Sequence, residues 1–275
     1  MSAEFRTFKA GFGVNWLKAG WVIFKTQPMT FMMMYIFLVV VGLFPFVLPN
    51  PIVQMLCALA GPFLTVGFYN AVVNLQSGKS IMLADILQPF SAKGQRLNLF
   101  RLGLYQLGVA LLLGVAMTLL FEPIVSAMQN HSPEQDMNAV MAEIAAAISF
   151  SDIAIFVALQ SLAMMAFAYA LPLIYFKKQA NILAAMKQSL KVFYYNMGPL
   201  SVFGGIVALM IIASAPLSLI PLIFIMPIVY IGFFVSFQAI FAEQVSPKAK
   251  DDQNSGDDEP RSKTEQVGQT GRFDA

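Results

Sequence analysis

The chain has 275 residues, 58% of them apolar and 12% charged, with a mean hydropathy of +0.69. Soluble domains carry about 25% charged residues, so an ordinary water-facing surface is excluded. Seventeen Lys and Arg against 15 Asp and Glu leave a net charge of +2, too even for a nucleic-acid partner. One Cys and one His exclude a disulfide scaffold, a zinc finger and a multi-His metal centre.

In chain order, residues 1–28 form a basic, aromatic N-terminal segment. Phe5, Phe8, Phe12 and Trp16 recur at three- and four-residue steps, with Arg6 and Lys18 off that stripe and Lys9 near it, which predicts an amphipathic helix. A helix needs roughly 20 apolar residues to cross a hydrocarbon layer about 30 Å thick. Six stretches reach about that length, at residues 29–48, 52–75, 102–121, 153–176, 200–217 and 219–242. The first is too long for a signal-peptide core and has no small-residue cleavage site behind it, so it is expected to stay as span one. Continuous rather than alternating apolar runs exclude a β-barrel.

Spans one and two are parted by Pro49-Asn50-Pro51, and spans five and six by little more than Pro216 to Pro221, as suits helical hairpins. After span two, Ser80 is the expected N-cap of a helix over 81–90, followed by Lys93, Arg96 and Arg101. The one sizeable outer loop, 122–152, contains Ser132-Pro133-Glu134-Gln135, a capping-box pattern, before Met137, Val140, Met141, Ile144 and Ile148 at helical spacing. Ahead of span five, Ile182, Met186, Leu190, Phe193 and Met197 predict one apolar face, with Lys187 and Lys191 off it and Gly198-Pro199 ending the helix. Residues 29–243 thus form the membrane domain. The tail at 244–275, rich in Asp, Lys, Gly, Ser and Gln, is expected to be disordered and solvated.

All 17 basic residues fall on one side of a six-span arrangement: before span one, between two and three, between four and five, and after six. The opposite loops carry only Glu122, Glu134, Asp136, Glu143 and Asp152 as charges. The positive-inside bias makes the basic side cytoplasmic, with both termini inside. Each basic residue near an anionic leaflet contributes on the order of 1 kcal/mol to that orientation. Lys18, Lys25, Arg96, Arg101, Lys187 and Lys191 are the expected lipid-headgroup contacts. Aromatic and basic residues together suit helices lying in the interface before spans one, three and five; the plainer reading makes these segments cytoplasmic extensions of the spans that follow.

The expected fold is therefore an all-α integral membrane protein of six transmembrane helices in three hairpins. Span two reads Pro62-Phe63-Leu64-Thr65-Val66-Gly67-Phe68 and span six Pro227-Ile228-Val229-Tyr230-Ile231-Gly232-Phe233, both P-x-x-x-x-G-F. Either the hairpins are repeated units, or the narrow composition of membrane helices produced the likeness. Pro62, Pro172 and Pro227 are the expected bending points of the even-numbered spans.

No Asp, Glu, Lys, Arg or His lies inside a span, although burial of such groups marks most proton relays, ion sites and catalytic centres of membranes. The neutral groups include Gln54, Thr65, Tyr69, Asn70, Asn74, Gln106, Gln160, Ser161, Ser236 and Gln238. Interhelical hydrogen bonding is one role for them. The sharper one is a neutral polar cleft for a lipid or small amphiphile, lined by Asn70, Asn74, Gln106, Gln160 and Gln238. His131 has no second His or Cys near it, Asn130-His131-Ser132 matches the glycosylation triplet without other support, and Cys57 reads as an inert apolar residue. Without a phosphate loop, nucleophile elbow or carboxylate pair, no enzyme activity and no cofactor are expected.

The run Gly20-Trp21-Val22-Ile23-Phe24-Lys25-Thr26-Gln27-Pro28, then Gly61-Pro62-Phe63, Val66-Gly67-Phe68, Gly78-Lys79 and Ile86-Leu87-Gln88-Pro89-Phe90, resembles a family of proteobacterial multi-pass inner-membrane proteins with a G-W-x-x-F-x-x-x-P start. Ala170-Leu171-Pro172-Leu173 with Ala185-Met186-Lys187-Gln188-Ser189-Leu190 and Asn196 is similar to the membrane region attached to some glycerophosphodiester phosphodiesterases, whose catalytic domain is not expected among these residues. The resemblance implies a location and a fold but no activity. Two roles follow as expectations: an envelope-organising or lipid-contacting component whose partner is the phospholipid bilayer, or a small permease or flippase-like transporter of a neutral or amphiphilic substrate.

Overall fold

A computed structural model describes residues 4–242 apart from 93, 123, 125 and 127–148. Among the described residues there are helices and no strand. They are α1 (Phe12–Phe24), α2 (Pro28–Val47), α3 (Pro51–Gln76), a 3-10 turn (Leu83–Leu87) running into α4 (Gln88–Ser91), α5 (Arg96–Leu120), α6 (Phe150–Ala168), α7 (Ala170–Phe176), α8 (Ile182–Tyr195), α9 (Met197–Ser214) with a 3-10 extension (Ala215–Leu217), and α10 (Leu222–Ile240). Six helices are long and apolar enough to cross a membrane: α2, α3, α5, α6 with α7, α9 with its extension, and α10. The protein is a multi-pass membrane protein. The outer-loop helix expected at 132–148 and the tail at 244–275 lie outside the described residues.

Local chemistry sets the span ends. Pro28 and Pro51 stand at the first turns of α2 and α3, where a missing N–H is harmless, and the Asn50 side chain accepts a 2.9 Å hydrogen bond from Ile52 N. After α3, Gly78 takes φ +78°, and Lys79 N returns to Asn74 O at 3.0 Å. Pro62 and Pro227 lie inside uninterrupted helix. At Pro172 the span does break, into α6 and α7 at Tyr169. Proline removes one ladder bond there, and a second is intercepted: Tyr169 N donates to Ser189 Oγ at 3.0 Å, and that hydroxyl donates to Met165 O, the acceptor Tyr169 N would otherwise have used.

The core sits at the basic end. In residues 35–61, 104–120, 150–165 and 204–226 Ser214 alone is buried, whereas from Pro62 to Val72 every residue but Thr65 and Asn70 is buried. Between lipid-facing helices no hydrophobic force acts, so association depends on close packing and hydrogen bonds. Glycines supply the close packing. A Cβ on Gly67 would overlap Ile86 O, with Ile86 Cα at 2.7 Å; one on Gly20 would stand 2.6 Å from Ile228 O; one on Gly232 would meet Trp16 O at 3.0 Å. So the 3-10 turn covers α3, and α1 crosses α10, each on the glycine of a P-x-x-x-x-G-F run. The third basic-end segment, α8, packs on α6 and α7 through Ser189. Each segment thereby covers the second span of a consecutive pair, the first segment closing the ring on span six.

Three sequence expectations are corrected here. The N-terminal helix begins at Phe12, not Phe5. Residues 4–9 are non-helical because Arg6 N donates to Ile240 O (2.8 Å), Phe8 N to Asn196 Oδ1 (3.0 Å), and Asn196 Nδ2 to Arg6 O (3.1 Å), using backbone groups a helix would have needed. Phe5 and Phe8 still pack on the core. Ser80 caps nothing; Asp85 does, accepting from Met82 N at 2.8 Å inside a 3-10 turn. In α8 the buried line is Ile182, Ala185, Gln188, Ser189 and Val192, rotated from the predicted stripe, while Met197 lies exposed in α9. The small Ala185 and Ser189 let α8 sit against the break at Tyr169, which larger Met186 and Leu190 would prevent.

Candidate functional site

Span three packs on α3, and α7 of span four is buried at the basic end. α6 packs chiefly on α5 and α8, and Phe121 meets Phe156 edge-on at 5.6 Å toward the acidic end. Between this pair and α3 and α10 an open cleft remains, with a volume of about 700 Å³. That lies within the roughly 300–1,000 Å³ of small-molecule sites. Its α3 wall is Thr65 and Tyr69, its α5 wall Gln106, Val109, Ala110 and Leu113, and its α10 wall Val229, Tyr230 and Phe233; Gln160 and Ser161 lead the α6 wall. Phe193 of α8 and Phe203 of α9 also line it.

The aromatic side of the cleft is closely packed. Tyr169, fully buried behind it, stacks on Phe233 at 4.8 Å and meets Phe193 at 5.2 Å. Its hydroxyl donates to Ser236 Oγ at 2.8 Å, since Ser236 itself donates to Phe233 O at 2.6 Å. Tyr230 contacts Phe68 at 5.7 Å and Tyr35 at 5.9 Å.

Of the five amides expected to share a cleft, the structure brings together two. Gln106 and Gln160 line it, with Thr65 and Ser161 as hydroxyl neighbours. Gln238 forms a reciprocal carboxamide pair with Gln76, at 3.0 and 2.7 Å, tying span six to the end of span two. Asn70 donates to Gln88 Oε1 (3.3 Å) and to Tyr175 OH (3.4 Å), and Gln88 in turn donates to Asp85 Oδ1 (2.9 Å). Asn74 is half-buried and lies outside the cleft lining. Gln238 and Asn70 thus belong to the bundle's own bonding at the basic end.

Lys18, Lys25, Arg96, Arg101, Lys187 and Lys191 are all exposed. Lys25 stands over Trp21 at 5.5 Å, and Lys191 over Phe5 at 5.8 Å and Tyr195 at 6.0 Å. Sequence reading missed Ser189, Tyr169 and Asn196 as organising residues. The available signal was a small polar residue on the amphipathic α8 beside a proline-bearing span. Among the described residues no group of three His, Cys, Asp or Glu is placed to hold a metal ion. No protein-family model matches the chain, and neither a curated protein nor a solved structure matches it significantly.

Proposed function

We propose that the protein is a non-enzymatic, lipid-contacting component of a bacterial inner membrane. Its six spans form three hairpins, its termini are cytoplasmic, and its three basic-end segments lie in the inner interface. The observation that carries this reading is the coincidence of core and charge. The buried packing, α1, the 83–91 segment and α8 gather at the end where six exposed Lys and Arg project. Apolar contact fixes the segments to the bundle, and the cations stay free for lipid phosphates, each adding on the order of 1 kcal/mol. Rings beneath Lys25 and Lys191 hold those cations beside amphipathic side chains of the kind that concentrate at membrane interfaces. The motif resemblance to proteobacterial inner-membrane proteins agrees with this location. A permease reading draws on the open cleft alone, because Asn70, Asn74 and Gln238 do not extend it into a polar path.

Native mass spectrometry of the full chain, extracted from vesicles with equal phosphatidylglycerol and phosphatidylcholine, tests the reading. Retained lipid is expected to be enriched several-fold in phosphatidylglycerol, and the K18Q/K25Q/K187Q/K191Q variant is expected to lose that enrichment. Equal retention of both lipids by the unmodified protein overturns it.

A further inference from the structure

We infer that the cleft between spans two, three, four and six is a binding site for an uncharged glycerolipid of the diacylglycerol class. The inference rests on lipid contact being the protein's role and names the lipid that this one site takes.

The cleft's polar groups carry the argument. Gln106 and Gln160 each stand ten residues past the first residue of their helix, about 15 Å along it, inside an apolar run. Among the described residues, neither carboxamide, nor the hydroxyl of Thr65 or Ser161, has a hydrogen-bond partner. Several other polar groups of the spans are paired: Gln238 with Gln76, Asn70 with Gln88, Tyr169 with Ser236. In hydrocarbon an unpaired amide costs several kcal/mol, so four unpaired groups on one cleft call for a partner that enters it.

The lining also defines that partner. It contains no Lys, Arg, His, Asp or Glu, so nothing there would pair with a phosphate or an ammonium. Phe193 lines the cleft from α8, whose Lys187 and Lys191 are exposed and are not part of the lining. The remaining walls are aliphatic and aromatic, with Met164 and Met165 as adaptable surface for flexible chains. Two carboxamide donors match two ester carbonyls, the hydroxyls of Thr65 and Ser161 match a free glycerol hydroxyl, and the apolar walls take the acyl chains. A phospholipid offers the same chains and esters but adds a charge the site cannot satisfy.

The test uses the full chain in nanodiscs of phosphatidylethanolamine and phosphatidylglycerol, doped with a diacylglycerol bearing a photoactivatable group on one acyl chain. Cross-links are expected at residues 109–113 and 160–168. Unlabelled dioleoylglycerol should compete them away, and dioleoylphosphatidic acid, with matched chains, should not. Q106L/Q160L should lower labelling about tenfold, equivalent to about 1.4 kcal/mol, with thermal stability unchanged. A110W, which fills the cleft, should abolish labelling. Equal competition by phosphatidic acid, or undiminished labelling of the double variant, overturns the inference; should A110W fail to fold, the double variant decides alone. Lost phosphatidylglycerol enrichment with intact cleft labelling overturns the interfacial role only, and the converse result overturns only the cleft.

Discussion

Ser189 shows how much one hydroxyl decides in this bundle. It is fully buried, takes the Tyr169 N–H that Met165 O would have received, and returns its own proton to that carbonyl. Span four is thereby broken where Pro172 had already removed a bond, and α8 is locked against the break. The S189A variant leaves Tyr169 N without a partner unless span four straightens, and straightening would displace Tyr169 from its stack with Phe233. Loss of a buried pairing of this kind costs about 1–3 kcal/mol. Denaturant or thermal unfolding in detergent should show S189A destabilised by that amount; an unchanged midpoint would mean that the helix ladder re-forms without cost. Gln106 and Gln160 contrast with Ser189. They were legible in the sequence as polar residues inside apolar runs, but their shared cleft was not, because helical position alone does not say which face of a span meets which neighbour.

At the scale of elements, the recurrence of P-x-x-x-x-G-F acquires a physical meaning. Gly67 and Gly232 each accept the backbone of a basic-end segment, Ile86 in one case and Trp16 in the other. The obstacle to a side chain at Gly67 is main chain, with Ile86 C at 2.6 Å and Cα at 2.7 Å, so no rotamer change relieves it. G67L is therefore expected to lift the 83–91 segment and break the Asn70–Gln88 contact. In a C57A background, a cysteine placed at Ile86, 1% exposed, should be inert to maleimide, and become reactive when G67L is added. Unreactive cysteine in both proteins would show that the segment tolerates the added bulk. The spans themselves were legible because length and continuous apolarity are the bilayer's own requirements. The basic-end segments were less so. Residues 4–9 carry a helical stripe of aromatics, yet Asn196 and the end of α10 claim their backbone groups, a tertiary preference that no local pattern encodes. In α8, likewise, the small Ala185 and Ser189 lie on the buried line because they allow a closer approach than the bulky Met186 and Leu190 of the apolar stripe.

For the molecule as a whole, burial is polarised along the spans, and charge with it. Trp16, Phe31, Phe68, Tyr169, Phe234 and Phe237 pack near the basic end, whereas Phe46, Leu119 and Phe150, each more than three-quarters exposed, mark the other. A bundle whose contacts gather at one end has a defined hub there and lipid-accessible helices beyond it. The even number of spans then makes a strong prediction about sidedness. The 12 basic residues up to Lys191 stand before span one, between two and three, and between four and five; the other five follow span six. Inverting the protein would carry all 17 across the membrane, at on the order of 1 kcal/mol lost for each one near an anionic leaflet. No embedded charge or long basic outer loop opposes that bias. An alkaline phosphatase reporter fused at Pro133 should therefore be active, as it requires the periplasm, and one fused after Pro247 inactive. Cysteines placed at Lys93 and Lys187 should resist an impermeant maleimide in intact cells and react after lysis. Labelling of either from outside would reverse the orientation, and with it the assignment of the basic hub to the inner leaflet. The cleft, defined by packing rather than sidedness, would keep its place between the spans.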